Sequence, residues 1–320
     1  MSTILITGGA GFIGSHLAKS ISQKNKVIIV DNFNDYYNPL IKEMNINDIK
    51  KTRDASIYRI DIRDKINLSK VFENHKINIV IHLAAMAGVR PSIESPNIYS
   101  EVNINGTMNV LELCRENNVS KMIFASSSSV YGNNKKTPFS ENDIVDFPIS
   151  PYAATKKAGE LLCHTYHHLY NIDIACLRFF TVYGPGQRPD LAIHKFTKLL
   201  YNNEPIPFYG DGKSERDYTY IDDIIDGINK AVNWLFDGKG KYEIFNLGES
   251  HTISLQRMVS TIEKVTGIKP ILKKLPMQPG DVNITYADIT KAKKIIGYNP
   301  QTDFEEGITN FIKWYKICQS

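Results

Sequence analysis

The sequence has few cysteines and no long apolar segment. Its 320 residues include four scattered cysteines, Cys114, Cys163, Cys176 and Cys318, without the C-x-x-C spacing of zinc or redox sites. Such cysteines are typical of free thiols in a reducing compartment. No apolar stretch reaches the roughly 18 residues of a transmembrane helix, and the glycines that closely follow the apolar start do not fit a signal peptide. We therefore expect a cytoplasmic protein without a membrane partner or a metal site.

The chain also lacks a basic cluster. Its net charge is only +4, and no basic run is longer than a pair such as Lys273-Lys274. Nucleic-acid-binding proteins concentrate Lys and Arg on one surface, so we expect no nucleic-acid partner. The small excess of positive charge suits a solvated surface or an acidic small ligand equally well. The composition, 42% hydrophobic and 22% charged, is ordinary for a globular protein.

The first half of the chain contains short apolar runs that alternate with segments of helical spacing. The helical segments include 97–118 and 151–170. Nearly continuous apolar runs are typical of parallel strands covered on both faces, and the alternation predicts an α/β fold with a doubly wound parallel sheet. The predicted strands are Ile4–Thr7, Val27–Val30, Ile57–Ile60, Ile79–Leu83, Met122–Ala125 and Ala175–Phe180.

The pattern changes beyond about residue 180. Gly184–Gly186, Pro189, Pro205 and Pro207 interrupt the regular alternation. A strand near Glu243–Leu247 could rejoin the main sheet. We therefore predict a nucleotide-binding domain over 1–180, to which 220–248 returns, and a smaller C-terminal substrate-binding lobe formed mainly by 181–320.

A glycine-rich loop follows the first predicted strand and opens a helix. Gly8, Gly11 and Gly14 are spaced three residues apart. Such a turn lets a pyrophosphate approach backbone N–H groups at the helix N-terminus, where the helix dipole favours negative charge. A glycine-rich loop alone is a weak signal, but its position between a strand and a helix indicates a Rossmann-type dinucleotide site.

Acidic residues follow the next two strands. Asp31 ends the predicted strand Val27–Val30, where a carboxylate can bind the adenosine ribose hydroxyls. A carboxylate there repels a 2′-phosphate, so NAD is favoured over NADP, and Asn32 lies beside it. Asp61 and Ile62 follow the third strand and are expected to flank the adenine.

Tyr152 and Lys156 form a Y-x-x-x-K pair at the start of a helix that Ser150-Pro151 can initiate. Their spacing places both side chains on one helix face, where an ammonium is expected to lower the pKa of the phenol. Tyr152 would then be a general base for a sugar or alcohol hydroxyl. The serine run before Val130 follows a strand, so Ser127 could hold the reacting oxygen beside Tyr152.

Together these residues resemble the extended short-chain dehydrogenase/reductase superfamily, in its branch of nucleotide-sugar epimerases and dehydratases. The resemblance covers essentially the whole chain. Within the branch, the chain is most similar to UDP-glucuronate 4-epimerases. The motifs are TGGAGFIGSH at 7–16, VIHLAA at 80–85, SSSSVYG at 126–132, YAATKK at 152–157, RDYTYIDD at 216–223 and PGD at 279–281.

The resemblance implies a role for each matching residue. Tyr152 would be the base, Lys156 its partner, and Ser127 with Ser128 the hydroxyl donors. Arg216 and Asp281 would anchor UDP. The NAD-binding set would be Gly8, Gly11, Phe12, Ile13, Gly14, Asp31, Leu83, Ala84, Ala85 and Asn103, with Tyr152 and Lys156.

The resemblance also implies a reaction. Hydride would pass from C4 of the sugar to NAD and return on the other face, with no net redox change. Dehydratases of the branch usually carry an Asp-Glu pair, and the decarboxylases a Glu, where this chain has Ser128 and Ser129. Their absence favours C4 epimerisation over a 4,6- or 5,6-dehydratase reaction.

The substrate is less sharply indicated. Thr181, with Arg90 and Arg188 nearby, could bind a C6 carboxylate, which favours conversion of UDP-glucuronate to UDP-galacturonate. Both arginines could instead contact diphosphate or solvent. The chain reads GPGQRPD at 184–190 where glucuronate epimerases typically read GPWGRPD. Epimerisation of UDP-GlcNAc or UDP-glucose therefore stays open.

Two further interpretations concern class and assembly. Proteins of this fold that only sense NAD usually lose the Tyr or Lys, so the retained pair argues for an enzyme, and Asp31 disfavours an NADPH-dependent reductase. The helices over 97–118 and 151–170 are expected to pair with their copies in a homodimer, as in related enzymes. Leu161, Thr165 and Leu169 would suit that interface or an intramolecular core.

Overall fold

The computed structural model describes residues 1–52, 55–276 and 282–319. The strands in this part of the chain are β1 (Thr3–Thr7), β2 (Lys26–Asp31), β3 (Ala55–Arg59), β4 (Ile79–His82), β5 (Lys121–Ser127), β6 (Asp173–Phe179), β7 (Thr181–Tyr183), β8 (Ile206–Tyr209), β9 (Glu215–Tyr220), β10 (Tyr242–Leu247), β11 (Thr252–Ser254) and β12 (Leu272–Leu275). The α-helices are α1 (Phe12–Ile21), α2 (Pro39–Thr52), α3 (Lys65–Asn74), α4 (Val89–Glu94), α5 (Pro96–Ser100), α6 (Thr107–Glu116), α7 (Pro151–Tyr170), α8 (Ala192–Tyr201), α9 (Ile221–Phe236), α10 (Leu255–Thr266), α11 (Thr290–Ile296) and α12 (Phe304–Gln319).

The main sheet has seven strands in the order β10-β6-β5-β4-β1-β2-β3, and every neighbouring pair is parallel. The order reverses between β1 and β4, which opens a crevice at the carboxyl ends of these strands. The predicted doubly wound parallel sheet is therefore confirmed. The strand expected near Glu243–Leu247 is β10, which pairs with β6 at the edge of this sheet.

Alternate residues of each central strand face two separate apolar layers. Ile4 and Ile6 of β1 belong to a core shared with α1, α2 and α9. Leu5, between them, belongs to the core shared with α3, α6 and α7 on the other face. Because successive strand side chains point to opposite faces, an apolar residue at every position is what two covered faces require.

Helix α7 forms where local signals and packing agree. Ser150 accepts a hydrogen bond from the Ala153 amide at 3.1 Å, and Pro151 occupies the first turn. Asn171 ends the helix in the left-handed conformation at φ 53°. At Gly159 a Cβ would lie 2.2 Å from the Phe124 ring, so the glycine lets α7 approach β5 closely. The helix thus carries its first turn to the carboxyl end of β5.

Two predicted elements differ in detail from the structure. The strand predicted as buried over Ile57–Ile60 is β3, which begins at Ala55 and is only half-buried because it is the sheet edge with one neighbour. The helix predicted over 97–118 is divided into α5, a π-helical segment Glu101–Gly106 and α6. The wider π turn re-aims side chains at this point.

The C-terminal half adds smaller elements above the sheet edge. Strands β11, β9 and β7 form a three-stranded sheet, and β12 pairs with β8. These strands lie beside α8, α10 and α12. In the ranges that the structure describes, no helix is long and apolar enough to cross a membrane.

A buried ion pair joins α7 to β6. Arg178 donates to both carboxylate oxygens of Glu160 at 2.8 and 2.9 Å, and each side chain is 1% exposed. Arg178 also donates to the Tyr131 hydroxyl at 2.9 Å, and Ser126 donates to Glu160 at 2.6 Å. Every charged atom of the pair thus has a partner, which is the condition for burying two charges.

We expect Glu160→Gln to lower the free energy of unfolding by about 3–5 kcal/mol, because it leaves the buried Arg178 cation without a countercharge. Urea unfolding followed by circular dichroism measures the change. Glu116→Gln removes an exposed partner of Lys65 at 2.9 Å and should cost about 0–1 kcal/mol. Equal losses in the two variants would contradict the interpretation of the buried pair.

Candidate active site

A cavity of about 720 Å³ lies at the carboxyl ends of the parallel strands, between the main sheet and the C-terminal elements. Its position matches the crevice that the reversed strand order creates. Nearly all the residues predicted for cofactor and substrate line it. These are Gly8, Gly11, Phe12, Ile13, Gly14, Asp31, Asn32, Asp61, Ile62, Leu83, Ala84, Ala85, Arg90, Ser127, Ser128, Tyr152, Lys156, Thr181, Arg188 and Arg216.

The glycine-rich loop presents an open helix N-terminus to this cavity. Helix α1 begins at Phe12 after Gly11, and among the described residues no side chain caps it and no acidic residue lies in its first turn. A Cβ at Gly14 would lie 2.3 Å from the Gly8 carbonyl oxygen, so only glycine permits this tight turn. The free N–H groups and the helix dipole fit a pyrophosphate.

Asp31 lies at the end of β2 on the same wall. Its carboxylate accepts hydrogen bonds from the Ala10 amide at 3.1 Å and the Phe33 amide at 2.9 Å, which fix its orientation. Lys42 of α2 lies 3.7 Å from it and donates to the Asn34 side chain at 2.8 Å. Carboxylate oxygens have two lone pairs each, so Asp31 can still accept ribose hydroxyls.

A second acidic residue is held at the outer end of this wall. Asn32 donates to Asp61 at 2.8 Å, and Arg63 pairs with the same carboxylate at 3.0 Å. Burial opposes ionisation of Asp61, but the hydrogen bonds from Arg63 and Asn32 outweigh it and lower its pKa to about 2. Asp61 is thus ionised, beside the apolar Ile62 of the cavity wall.

The predicted catalytic residues meet where β5 ends and α7 begins. Ser127, the last residue of β5, shares a hydrogen bond of 2.6 Å with the Ser129 hydroxyl. Lys156 is buried and donates to the Ala125 carbonyl at 2.6 Å, while its amine lies 6.0 Å from the centre of the Tyr152 ring. The end of β5, with Ser127, and the first turns of α7, with Tyr152 and Lys156, therefore line the same cavity.

The pKa of Tyr152 differs from expectation. Burial raises it above its ordinary value, and the Ser127 hydroxyl and Arg188 oppose this shift. Among the described residues, Lys156 is not one of the groups that shift the pKa of Tyr152, contrary to expectation; its amine donates to the Ala125 carbonyl. Burial lowers the pKa of Lys156 itself to about 8, so it stays mostly protonated at neutral pH.

Asn103 does not line the cavity, contrary to expectation. It lies in the π-helical segment behind the wall, where its side chain bonds the Met86 amide at 2.8 Å and the Met86 carbonyl at 3.0 Å. It also donates to Thr155 of α7 at 3.0 Å. Asn103 therefore ties the loop after β4 to α7.

Two of the predicted substrate-binding arginines, Arg188 and Arg90, also line the cavity. Arg188 forms a two-fold hydrogen bond with Asp190, at 3.0 and 2.6 Å, and its guanidinium lies 5.2 Å from the centre of the Tyr36 ring. Arg90 lies 5.6 Å from the centre of the Tyr209 ring. Thr181 of β7 is on the same wall.

Arg216 of β9, predicted to anchor UDP, lines the cavity as well. Its Nη1 donates to the Glu215 carbonyl at 2.8 Å and lies 3.4 Å from the Asn283 carbonyl. Asp281, predicted to hold the uridine ribose, lies outside the described residues. The described segment that follows it contributes Val282 and Thr285 to the cavity.

Sequence reasoning missed several wall residues in the loop after β2. Tyr36 donates to the Ala87 carbonyl at 2.8 Å, and Tyr37 and Lys42 line the cavity between Asp31 and Arg188. Asp190, the partner of Arg188, was also missed. The cluster of Asn, Asp and Tyr directly after a strand carboxyl end was an available signal, since ligands of this fold bind at that edge.

Comparison with known families places the chain in one of them. The family model described as GDP-mannose 4,6 dehydratase matches residues 5–311. A UDP-glucuronate 4-epimerase of Thermodesulfobacterium geofontis is 44% identical over 318 residues, which cover 99% of this chain and 97% of that protein.

Solved structures of nucleotide-sugar 4-epimerases are also similar to this chain. The UDP-glucuronic acid 4-epimerase of Bacillus cereus, solved with UDP-glucuronic acid and NAD, is 37% identical and has a TM-score of 0.93 over 99% of both chains. A UDP-N-acetylglucosamine 4-epimerase of Methanobrevibacter ruminantium, solved with UDP-N-acetylmuramic acid, is 32% identical with a TM-score of 0.90, covering 100% of this chain and 99% of that one. With the glycine turn, the Tyr-Lys pair and the arginine-lined cavity, these matches establish that the chain belongs to the extended short-chain dehydrogenase/reductase family of NAD-dependent nucleotide-sugar epimerases and dehydratases.

Proposed function

We propose that the protein is an NAD-dependent 4-epimerase that interconverts UDP-glucuronate and UDP-galacturonate. The observation that carries the proposal is one cavity that is lined by Tyr152 and Ser127, by the glycine turn with Asp31, and by Arg188. The family supports the chemistry, and the relatives named UDP-glucuronate 4-epimerase support the sugar.

The residues divide the work by position. Tyr152 removes the proton of the C4 hydroxyl, and Ser127 holds that oxygen by a hydrogen bond. In this proposal the protonated Lys156, one helix turn from Tyr152, favours the phenolate only once bound substrate and cofactor exclude water, since by itself it does not lower the pKa of Tyr152. NAD, when bound, accepts the hydride from C4 and returns it to the opposite face of the 4-keto sugar. Tyr152 then gives its proton back to the C4 oxygen.

The cofactor site favours NAD over NADP. The Asp31 carboxylate, fixed by two amides, would repel a 2′-phosphate and accept the ribose hydroxyls. The uncapped start of α1 would hold the pyrophosphate. In this proposal the NAD-binding domain comprises 1–180 with 220–248, and the UDP-sugar lobe comprises mainly 181–320.

The wall favours epimerisation over dehydration. Removing water across C5 and C6 requires an acid or base near those carbons. Ser128 and Ser129 line the cavity without a carboxylate, and the acidic residues of the described wall are Asp31, Asp61 and Asp190. Two of these lie at the cofactor end, and Arg188 binds the third. Epimerisation at C4 needs no such group, because Tyr152 handles the proton of the C4 hydroxyl.

The arginines favour an acidic sugar. A UDP-uronate carries negative charge on both its diphosphate and its C6 carboxylate. Arg216 and Arg90 suit the diphosphate. The positive charge of Arg188, whose Nε and Nη2 are bonded to Asp190, suits the carboxylate together with the Thr181 hydroxyl. The similarity to a UDP-N-acetylglucosamine 4-epimerase makes UDP-GlcNAc the second candidate.

Incubation with single nucleotide sugars tests the function. We expect UDP-glucuronate, without added reductant, to yield a product of unchanged mass with altered H4 coupling, measured by mass spectrometry and NMR. Epimerisation of UDP-GlcNAc or UDP-glucose, without turnover of UDP-glucuronate, would support the proposed reaction but contradict the proposed substrate. Loss of water or carbon dioxide would reject the epimerase.

Tyr152→Phe controls this experiment. It should lower kcat by about 10²–10⁴ while NAD and UDP still bind, because only the proton transfer is lost. Tyr99→Phe, which removes a hydroxyl bonded to the Ala87 carbonyl at 3.0 Å, should have a much smaller effect. If the wild type binds NAD but converts no sugar, the protein is an NAD sensor.

We expect Arg188→Met to raise KM for UDP-glucuronate about 10- to 100-fold, because it removes a charge-assisted hydrogen bond of about 1.5–3 kcal/mol. Steady-state kinetics measure KM, and the affinity for UDP alone, measured by calorimetry, is the control and should not change. An unchanged KM would place the carboxylate elsewhere in the cavity.

We also propose that two copies associate through α7 and the helical region 96–116. Leu161 and Leu169, which lie on one face of α7, are 58% and 57% exposed, and Tyr170 adds to this surface. Two leucines that are eight residues apart, about two helical turns, on an uncovered helix face suit packing against the copy of that helix. The unpaired cysteines, three of them buried, support the cytoplasm as the compartment.

The double variant Leu161→Glu/Leu169→Glu should sediment as a monomer, because it places like charges across the proposed interface. Analytical ultracentrifugation distinguishes the two states. Leu40→Glu, an equally exposed leucine on the opposite face of the sheet, should leave the dimer intact. A monomeric wild type would reject this interface.

A further inference from the structure

Asp217 is a fully buried carboxylate next to Arg216 on β9, and it accepts four hydrogen bonds. Its Oδ1 accepts from the Glu249 amide at 2.7 Å and from the Thr219 hydroxyl at 3.3 Å. Its Oδ2 accepts from the Ser250 amide at 3.0 Å and from the Ala287 amide at 3.1 Å. One side chain thus connects three separate stretches of chain.

One of these stretches is the cavity wall itself. Ala287 ends the segment 282–287, in which Val282 and Thr285 line the cavity. The Thr285 hydroxyl accepts from the Asp217 amide at 3.2 Å, so Asp217 holds this segment through both side chain and backbone. A Cβ at Gly248 would lie 2.5 Å from the Ala287 Cβ, which shows how closely the segment packs here.

The same segment positions Arg216. Neighbouring strand residues point to opposite faces, so Arg216 faces the cavity while Asp217 faces the interior. The Glu215 amide donates to Asn283 at 2.9 Å, and the Thr285 amide donates to Glu215 at 3.1 Å. The Glu215 and Asn283 carbonyls that lie against the guanidinium of Arg216 are therefore part of the junction that Asp217 closes.

We propose that Asp217 is a positioning residue for the nucleotide end of the substrate, which it acts on through Arg216 and the wall segment 282–287 without touching the ligand. The inference rests on the proposed binding of UDP by Arg216. Losing the Asp217 junction displaces Arg216 and the wall together, and binding of the diphosphate weakens.

The charge of Asp217 is essential to this role. Burial raises its pKa to about 6, against the opposing effect of its backbone hydrogen bonds, so the group is ionised at neutral pH. Only a carboxylate accepts two donors at each oxygen. Asparagine would turn an NH₂ group toward an N–H donor in either orientation, because a backbone amide faces each oxygen.

The test is the affinity of the Asp217→Asn variant for UDP, measured by calorimetry. We expect Kd to rise about 10- to 100-fold, as when one charge-assisted hydrogen bond to the diphosphate is lost. NAD affinity should stay unchanged, because its site lies on other elements. With UDP-sugar, KM should rise more than kcat falls.

Asp223→Asn is the matched control. Asp223 is also a buried carboxylate with one backbone donor at each oxygen, Gln301 at 2.9 Å and Thr302 at 3.2 Å. None of these three residues lines the cavity. The control should lose stability but keep UDP affinity.

Thr219→Val is a milder variant that removes one hydroxyl donor, and it replaces Asp217→Asn if that chain does not fold. It should weaken UDP binding while NAD binding is retained. Unchanged UDP affinity in the folded Asp217 variant or, failing that, in Thr219→Val overturns the inference. An equal loss in Asp223→Asn also overturns it. A wild type that binds no UDP rejects the proposed function itself, which is a separate outcome.

Discussion

The placement of the catalytic residues depends on the buried pair between Glu160 and Arg178. Glu160 lies one turn after Lys156 on α7, and Arg178 lies on β6. Ser126, directly before Ser127, donates to the same carboxylate. One buried ion pair therefore joins the helix that carries the base to the strand end that carries the hydroxyl.

The pair also reaches the second half of the chain. Arg178 donates to Tyr131, whose hydroxyl donates to Asn246 at 2.7 Å. Asn246 in turn donates to the carbonyls of Phe139 at 2.8 Å and Asp288 at 3.1 Å. Such a fully bonded buried network fixes one arrangement, because any broken member leaves a costly unpaired group. The cavity wall, which includes Phe139, is thus coupled to α7 by polar contacts and not by apolar packing alone.

The sequence predicted the architecture and most of the cavity wall, and the reasons differ by residue. Periodicity reveals parallel strands because both faces must be apolar, and the cap at Ser150 marks the start of α7. The glycine turn and Asp31 follow from local chemistry. Local chemistry does not predict how far Tyr152 is buried or which group Lys156 bonds. Both depend on how α7 packs on β5. Asn103 illustrates the same limit, since a π turn decides that it faces a loop and not the cavity.

Contacts between distant segments were the least accessible to sequence reasoning. Arg188 and Asp190 are two residues apart, so their pairing is visible in the sequence. The contact of the Arg188 guanidinium with the Tyr36 ring is not, because Tyr36 comes from a distant part of the chain. Asp217 carries no signal of its own, because three of its four donors are backbone amides, from residues 249, 250 and 287. A backbone amide can be supplied by any residue except proline, so the sequence does not mark it as a donor.

The edge position of β10 has a consequence for synthesis on the ribosome. The first six strands of the main sheet are complete at Phe179, but the seventh, Tyr242–Leu247, pairs with β6 only after more than sixty further residues have been made. Until then β6 is an unpaired edge, open to association with other chains. The hydrogen-bond network of Arg178, through Tyr131 to Asn246, is also incomplete until β10 has been made. A nascent chain that ends before Tyr242 therefore holds every strand of the main sheet except the one that covers the outer edge of β6.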